Sequence, residues 1–217
     1  MDLSDNFPKA AQSPAYRIET ERLVLRCWEP RDAPLLKESV EASLEHLKPW
    51  MPWVHEEPEP LQVKIDRLRT FRARFDSDED YIYAIFNLEE TEVLGGTGLH
   101  TRAGEKAREI GYWIHVDHIG KGLATEATMA LIKVAFEISR VERIEIHCDP
   151  INHLSAAIPK KLGFSMDGII RKSMVHLEGK LRDTMIWTLL RDEYEDSPSA
   201  KIAVAAFDAV GRQFALS

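Results

Sequence analysis

Hydrophobic and polar residues alternate along much of the chain with a period of two, the pattern of a strand that buries one face. Segments 81–87, 93–100 and 107–115 follow one another with only short polar or glycine-containing turns between them. Consecutive strands with short connections pair as antiparallel neighbours, so this part of the chain predicts an antiparallel meander. Four further segments show strand patterns, at residues 16–26, 143–148, 168–176 and 181–190.

Helical periodicity is clearest between residues 121 and 139, after the third strand of the meander. Apolar residues recur there three or four positions apart and therefore share one helix face, at Leu123, Ala127, Leu131, Val134 and Ile138. The same spacing predicts helices after Asp32, at residues 60–75 and 152–162, and at residues 200–216. Strands mixed with helices in this way indicate an α/β (α+β) domain.

The chain divides into one domain with a short segment at each end. Residues 16–195 hold the predicted strands and most of the predicted helices, and 217 residues suit one domain with an appendage. Residues 1–15 are polar and contain prolines, which predicts a mobile leader and not a signal peptide. Residues 196–217 are expected to form a helical extension.

The charge balance limits the classes of partner. The formal net charge is −8, from 28 basic and 36 acidic side chains, which argues against a broad nucleic-acid surface. No apolar run approaches the roughly 20 residues of a membrane-spanning helix. Two cysteines, Cys27 and Cys148, indicate a reducing compartment, so we expect a cytoplasmic protein. The histidines lack the spacing of metal ligands, so we expect no metal site.

The sequence IGKGLAT, at residues 119–125, is the sharpest candidate for chemistry. It lies between a predicted strand and the long predicted helix, where free backbone N–H groups and the helix dipole favour an anion. Gly120 and Gly122 let the backbone approach a phosphate without an intervening Cβ atom. The spacing matches neither the GxxxxGK[ST] of a Walker loop nor the GxGxxG of a dinucleotide site. An ordinary helix entry is the alternative interpretation.

Five stretches of sequence carry a family resemblance. Residues 109–115 (EIGYWIH) and 120–127 (GKGLATEA) surround the glycine loop. Residues 18–26 (IETERLVLR), 46–53 (HLKPWMPW) and 152–164, which begins NHLS, complete the set. Taken together, and in the order in which they occur along the chain, the five stretches resemble the GNAT acetyltransferases. Within that family they resemble the ribosomal-protein N-terminal (serine/alanine) acetyltransferases.

The resemblance implies a GNAT fold, a mixed and mostly antiparallel splayed sheet of about seven strands with helices on both faces. It also implies that acetyl-CoA is the cosubstrate, without a metal, and that the acetyl group passes directly from the thioester to an amine. The acceptor is then a primary amine: the α-amine of a protein N-terminus, an aminoacyl conjugate or a small-molecule amine. A homodimer stays open as the assembly, and we expect no membrane and no direct nucleic-acid partner.

The resemblance also assigns residues to the cofactor. The pantetheine would pair with the backbone of the strand before the loop, at Tyr112 and Ile114, and Asn152 would touch the cofactor. Ser155 is the predicted catalytic residue, which would donate a proton or a hydrogen bond to the departing sulfur. The loop positions predicted to contact the pyrophosphate side are Gly120, Lys121, Gly122, Leu123, Ala124 and Thr125.

Two tryptophans mark the predicted acceptor side. Trp50 and Trp53 lie three apart among prolines, and we interpret them as an aromatic wall of the acceptor pocket, with packing at a core edge as the alternative. The amine must lose a proton before its nitrogen can attack. Glu109, His115 and Glu178 are the candidate bases, and a chain of water molecules is a further alternative.

Two positions depart from the family pattern. Ile119 stands where the family usually has Gln or Arg, so one side-chain contact to the phosphate is expected to be missing. Pro159 cannot donate a backbone hydrogen bond to the carbonyl of Ser155. Two other classes stay open: a catalytically idle acyl-CoA-binding sensor or regulatory subunit with the same fold, and a nucleotide-binding module that uses the same loop.

Overall fold

One nine-stranded sheet organises residues 14–175 and 179–217, the parts of the chain that this computed structural model describes. The strand order is β7-β8-β6-β5-β4-β3-β2-β1-β9, and all described neighbours are antiparallel except β5 and β6. The strands are β1 Arg17–Glu19, β2 Val24–Cys27, β3 Tyr81–Phe86, β4 Val93–His100, β5 Ala107–Ile114, β6 Arg143–Cys148, β7 Ser165–Val175, β8 Leu181–Leu190 and β9 Ala205–Phe207.

Six α-helices accompany the sheet in the described residues. They are α1 Ala33–Ala42, α2 Leu44–Leu47, α3 Leu61–Asp76, α4 Leu123–Glu137, α5 His153–Lys161 and α6 Arg191–Tyr194. The helices predicted after Asp32 and at residues 60–75, 121–139 and 152–162 are confirmed as α1, α3, α4 and α5. None of these helices is both long enough and apolar enough to cross a membrane.

Side chains alternate between the two faces of the sheet, as β3 shows. Tyr83 and Ile85 are buried in a core that α4 covers, whereas Ala84 and Phe86 are buried in a second core under α1 and α3. Burial of a large apolar side chain contributes about 1.5–3 kcal/mol. Helices therefore cover both faces of a mostly antiparallel sheet, as predicted.

The sheet opens between β5 and β6. These two strands pair only at their amino ends, as far as Glu109 opposite Glu145. Beyond that point β5 continues to Ile114 alongside β4, whereas β6 continues to Cys148 alongside β8. The carboxyl ends of the two strands are therefore separated, and this gap is the splay that the family resemblance predicts.

The first predicted strand, residues 16–26, is two strands. β1 and β2 form a hairpin, in whose turn the Thr20 N–H donates to the Leu23 carbonyl at 3.0 Å. Of the predicted leader, only Pro14 and Ala15 belong to the described residues. Ala15 is buried, and its carbonyl accepts a hydrogen bond from the Tyr83 hydroxyl at 2.8 Å.

The C-terminal segment is not helical, so the prediction of a helix at residues 200–216 is wrong. After a 3-10 helix, Pro198–Lys201, the chain forms β9, whose Ala206 lies opposite Ile18 of β1. The outer edge of β1 offers backbone N–H and C=O groups, and β9 satisfies them. Gly211, with a φ of 80°, lies in a turn beyond β9 and has a left-handed conformation that an α-helix does not contain. The split first strand and β9 together account for nine strands where about seven were predicted.

Candidate functional site

A cavity of about 670 Å³ lies at the opening of the sheet. Ile110, Gly111 and Tyr112 of β5 line it from one side, and the carboxyl end of β6 with the start of α5 lines it from the other. The loop between α2 and α3 closes its outer part. The splay therefore brings together stretches that are far apart in the sequence.

The entry to α4 has the geometry of an anion site. Gly120 and Gly122 have φ values of 74° and 81°, and Gly122 is the N-cap of the helix. The first backbone bond of the helix runs from the Glu126 N–H to the Gly122 carbonyl at 3.0 Å. The N–H groups at the start of the helix precede this ladder and have no partner within it. They belong to Leu123, Ala124 and Thr125, which are predicted cofactor contacts together with Gly120, Lys121 and Gly122.

Arg22 braces this loop from the β1–β2 hairpin. Its guanidinium donates to the Lys121 carbonyl at 2.9 Å and pairs with Glu126 at 2.5 Å. A Cβ atom on Gly122 would lie 3.6 Å from the same guanidinium. Ile119, where the family usually carries Gln or Arg, is exposed. The fold thus places a cation next to the loop although the loop sequence itself lacks one at that position.

The edge of β5 that faces the splay supports the prediction for Tyr112 and Ile114. The His115 N–H, just after β5, donates to the Leu94 carbonyl of β4 at 2.8 Å. Alternate residues of a strand direct their N–H groups to the same edge. The N–H groups of residues 111, 113 and 115 therefore face β4, and the N–H groups of Tyr112 and Ile114 point toward the opening.

Tyr112 also contributes its side chain, which the sequence analysis did not foresee. Its hydroxyl oxygen lies 3.2 Å from Ser155 Oγ and 3.2 Å from the Ser155 carbonyl oxygen. That carbonyl is the one that Pro159 leaves without its helical donor. Since a carbonyl can only accept, the single proton of Tyr112 satisfies it. Burial raises the pKa of the Tyr112 hydroxyl, which keeps it protonated at neutral pH.

Asn152 has a structural contact that the resemblance did not specify. Its Oδ1 accepts a hydrogen bond from the Ser155 N–H at 3.1 Å, which makes it the N-cap of α5. Asn152 and Ser155 both line the cavity. The cap fixes the first turn of α5, and thereby the position of the Ser155 hydroxyl, against the carboxyl end of β6.

A second group of polar side chains lies on the opposite face of the opening. Glu109 is buried, and its two carboxylate oxygens accept hydrogen bonds from Arg102. Arg102 Nε donates to Oε2 at 2.7 Å, and a second guanidinium nitrogen donates to Oε1. Burial alone would raise the pKa of the Glu109 carboxyl, but Arg102 and the nearby His147 hold it below its usual range. Glu109 is thus an ionised carboxylate, and a weak proton acceptor.

His147 and Arg102 were missed by sequence reasoning. His147 lies on β6, with Nε2 at 2.7 Å from Glu145 and Nδ1 at 3.6 Å from Glu109 Oε2. The alternation of β6, with Ile144 and Ile146 in the core, was the signal that could have placed it on the outer face.

Of the other two predicted bases, only His115 belongs to the described residues. His115 Nδ1 accepts a hydrogen bond from the Asp117 N–H at 3.1 Å, beyond the end of β5, and His115 does not line the cavity. Glu178 lies outside the described residues. Among the residues that the structure describes, no group of three or more His, Cys, Asp or Glu side chains could hold a metal ion.

Trp50 and Trp53 both line the outer part of the cavity. Trp53 packs edge-on against Trp113 of β5, with ring centroids 6.1 Å apart. Arg182 of β8 stacks on Trp50 at 5.6 Å and donates to the Pro49 carbonyl at 2.7 Å. The tryptophan segment is therefore both a wall of the cavity and a packed loop, so the two interpretations of the sequence describe one arrangement.

Comparison with known proteins identifies relatives of this chain. A family model described as acetyltransferase (GNAT) domain matches residues 22–165. YdaF of Bacillus subtilis (strain 168) is 31% identical over 183 residues, which cover 81% of this chain and 94% of that protein. The ribosomal protein uS5-alanine N-acetyltransferase of Escherichia coli (strain K12) is 27% identical over 193 residues, which cover 87% of this chain and 97% of that protein.

A solved structure shows the same fold. RimL, a ribosomal L7/L12 alpha-N-protein acetyltransferase in complex with coenzyme A, superposes with a TM-score of 0.72 at 20% identity. The match covers 80% of this chain and 96% of that chain.

The loop geometry predicts the effect of a glycine substitution on coenzyme A binding. Gly122→Ala places a side chain at a φ of 81°, which costs about 1–2 kcal/mol in the left-handed conformation. We expect the Kd for coenzyme A, measured by calorimetry, to rise roughly tenfold as the loop relaxes. Gly163→Ala, at a φ of 86° after α5, is the matched control and should lower the melting temperature similarly without changing Kd. Unchanged affinity in Gly122→Ala would contradict the assignment of the loop.

Proposed function

The chain belongs to the GNAT acetyltransferase family and is an acetyl-CoA-dependent N-acetyltransferase, and we propose that its acceptor is the α-amine of a protein N-terminus. The observation that carries the proposal is the cavity in the splay, where Tyr112, Asn152 and Ser155 line one part and Trp50 and Trp53 line another. The names of the relatives point the same way, since the Escherichia coli relative is named for acetylation of ribosomal protein uS5 at alanine.

On the cofactor side, the pyrophosphate of acetyl-CoA binds the loop from Gly120 to Thr125. Backbone N–H groups at the start of α4 supply the donors, and Arg22 holds the loop in shape through the Lys121 carbonyl and Glu126. The pantetheine runs along β5 and pairs with the N–H groups of Tyr112 and Ile114. This path leads the thioester toward the place where β5 and β6 separate.

Ser155 completes the transfer at the leaving sulfur. The amine nitrogen forms a bond to the thioester carbon, the C–S bond breaks, and the thiolate takes a proton. Tyr112 donates its own proton to the Ser155 carbonyl, so Ser155 is the donor in the 3.2 Å contact between the two hydroxyls. Acetyl-CoA offers that Ser155 proton a second acceptor, the departing sulfur. Pro159 therefore supports this arrangement, because the carbonyl it frees is what holds Tyr112 in place.

On the acceptor side, the tryptophan segment forms a wall against which the first residues of a peptide pack. Trp53 and Trp113 present apolar ring surface, and the ionised Glu109 lies deeper in the same cavity. The N-terminal residue of a peptide suits both the aromatic wall and the carboxylate, since it carries a positive ammonium group next to a side chain and a peptide backbone. Aromatic faces and carboxylates both attract such a cation.

A panel of acceptors tests the proposal. The purified chain is incubated with acetyl-CoA and one of four amines: a peptide beginning with Ser or Ala, the same peptide N-formylated but with a free lysine, an aminoacyl conjugate and an aminoglycoside. We expect thiol release with the free α-amine peptide and not with its blocked counterpart. Release with the conjugate or the aminoglycoside alone would overturn the choice of acceptor. Absence of release with every amine, despite bound coenzyme A, would favour the idle sensor.

Ser155→Ala tests the assignment of the acid. We expect kcat to fall by about 10²-fold, the lower end for general acid catalysis because solvent can replace a serine, with the affinity for acetyl-CoA little changed. Ser77→Ala, which removes a serine hydroxyl at the end of α3 away from the cavity, is the control and should keep the parent kcat. An unaltered kcat in Ser155→Ala, on an acceptor for which chemistry limits the rate, would contradict the assignment.

Trp53→Ala tests the acceptor wall. The substitution removes ring surface from the outer cavity and leaves the α4 loop untouched. We therefore expect the KM for the acceptor peptide to rise about tenfold while the KM for acetyl-CoA stays within a factor of about two. Steady-state kinetics with each substrate varied in turn, together with a melting curve, measure this. An equal rise in both constants would point to packing alone.

A further inference from the structure

We propose that His147 is the residue that takes the proton from the acceptor amine, with Glu145 orienting its ring and Glu109 holding the ammonium group. The inference rests on the proposed function, because it concerns the amine that attacks acetyl-CoA. It is carried by the geometry of three side chains that line or adjoin the acceptor face of the splay.

The first step is the protonation state of the two ring nitrogens. His147 Nε2 lies 2.7 Å from Glu145 Oε2. A carboxylate can only accept, so Nε2 carries the hydrogen and donates it. In the neutral ring, Nδ1 then has the free electron pair. The contact with Glu145 thereby selects the tautomer that can act as a base at Nδ1.

The second step is the space in front of Nδ1. His147 Nδ1 lies 3.6 Å from Glu109 Oε2, which is too long for a hydrogen bond between them. A single nitrogen atom placed to one side of this pair can lie roughly 2.9 Å from both atoms, the ordinary distance of a hydrogen bond. His147 and Glu109 both line the cavity. An ammonium group therefore fits between them, donating one N–H to Glu109 and another to His147.

The third step is the charge around the ring. Glu109 cannot serve as the base itself, because Arg102 pairs with both sides of its carboxylate and keeps it ionised. The Glu109 carboxylate still attracts the ammonium group of the acceptor. Glu145, which also pairs with Arg143 at 2.7 Å, stabilises the imidazolium that forms. Charged or titratable groups surround this cluster on several elements. They are Glu109 of β5, Glu145 and Arg143 of β6, His100 of β4 and Arg102 just after it, and Lys64, Arg67, Asp149 and Arg182, which line the same cavity.

The proton balance of the reaction is then complete. The ammonium nitrogen gives one proton to His147 Nδ1 and becomes neutral, and it attacks the thioester carbon. When the C–S bond breaks, Ser155 Oγ gives its proton to the thiolate and takes back, through water, the second proton that leaves the nitrogen. The products are then the amide, the coenzyme A thiol and one proton on His147. His147 keeps about a quarter of its side chain exposed, 26%, so its proton can pass to solvent before the next turnover. Acid and base thus lie on opposite faces of the opening.

Nuclear magnetic resonance of the full chain tests the tautomer without any acceptor. The ring nitrogen shifts of His147, assigned with the His147→Gln variant, should show the neutral ring protonated at Nε2. A neutral ring protonated at Nδ1 would overturn the proposal. Because this measurement needs no amine, it separates a failure of the base assignment from a failure of the choice of acceptor.

The pH dependence of kcat tests the role in the reaction, with any amine that supports thiol release. We expect the rate of the parent to depend on a proton-accepting group that His147→Gln lacks, so the two pH profiles should differ in shape. His147→Gln should lose about 10²-fold at neutral pH and keep the KM for acetyl-CoA. The rate of His147→Gln should continue to rise with pH, since the ammonium group of the acceptor must then lose its proton to solvent. Imidazole added to His147→Ala should restore part of the rate.

Two control variants sharpen this test. His118→Gln removes another histidine that pairs with a glutamate, at 2.8 Å from Glu92, and should keep the shape of the parent profile. Glu145→Gln keeps an acceptor for Nε2 but removes the negative charge, so kcat at neutral pH should fall between those of the parent and His147→Gln, because a hydrogen bond to a neutral acceptor is weaker. A His147→Gln profile that runs parallel to that of the parent, or an equal rate at neutral pH, would overturn the proposal.

Discussion

The separation of β5 from β6 after Glu109 and Glu145 is the constraint on which the rest of the site depends. Up to this pair the two strands satisfy each other's backbone groups, and beyond it each strand keeps only its outer neighbour. The inner edge of β5 is then left with N–H groups that point into an open cavity and not into a ladder. An extended ligand can use those groups as a further strand would, which is the role proposed here for the pantetheine of acetyl-CoA.

The same opening allows the proposed proton donor and the proposed proton acceptor to lie on opposite faces of the sheet. Side chains of a strand alternate between faces, so neighbours in sequence are directed to opposite sides of the sheet. Tyr112 reaches Ser155 on the α4 side, whereas Glu109 reaches Arg102 and His147 on the other side. A proton donor for the leaving thiolate and a proton acceptor for the incoming amine can therefore be presented across one thioester.

Compensation at a distance accounts for the two departures from the family pattern. Pro159 removes a helical donor from the Ser155 carbonyl, and the Tyr112 hydroxyl provides one at 3.2 Å. Ile119 brings no polar contact to the α4 loop, and Arg22 of the β1–β2 hairpin contacts the loop at the Lys121 carbonyl and Glu126. In both cases a change that weakens a local motif is matched by a contact from another element. The motif alone therefore underestimates how complete the site is.

The sequence by itself determined the family, the meander, the long helix and the glycine loop, because each depends on spacing within a short stretch. Periodicity reports which face of an element is buried, and a glycine pair before a helix reports where backbone N–H groups are free. The family resemblance also singled out Tyr112, Trp50 and Trp53, which all line the cavity. Only the tertiary structure decided the contacts between elements, such as Tyr112 with Ser155, 43 residues apart, and Arg22 with Glu126, 104 residues apart. It also decided that the last residues form β9 and not a helix, since an unpaired sheet edge outweighs local spacing. These outcomes depend on which surfaces meet in space, and a one-dimensional pattern contains no information about that.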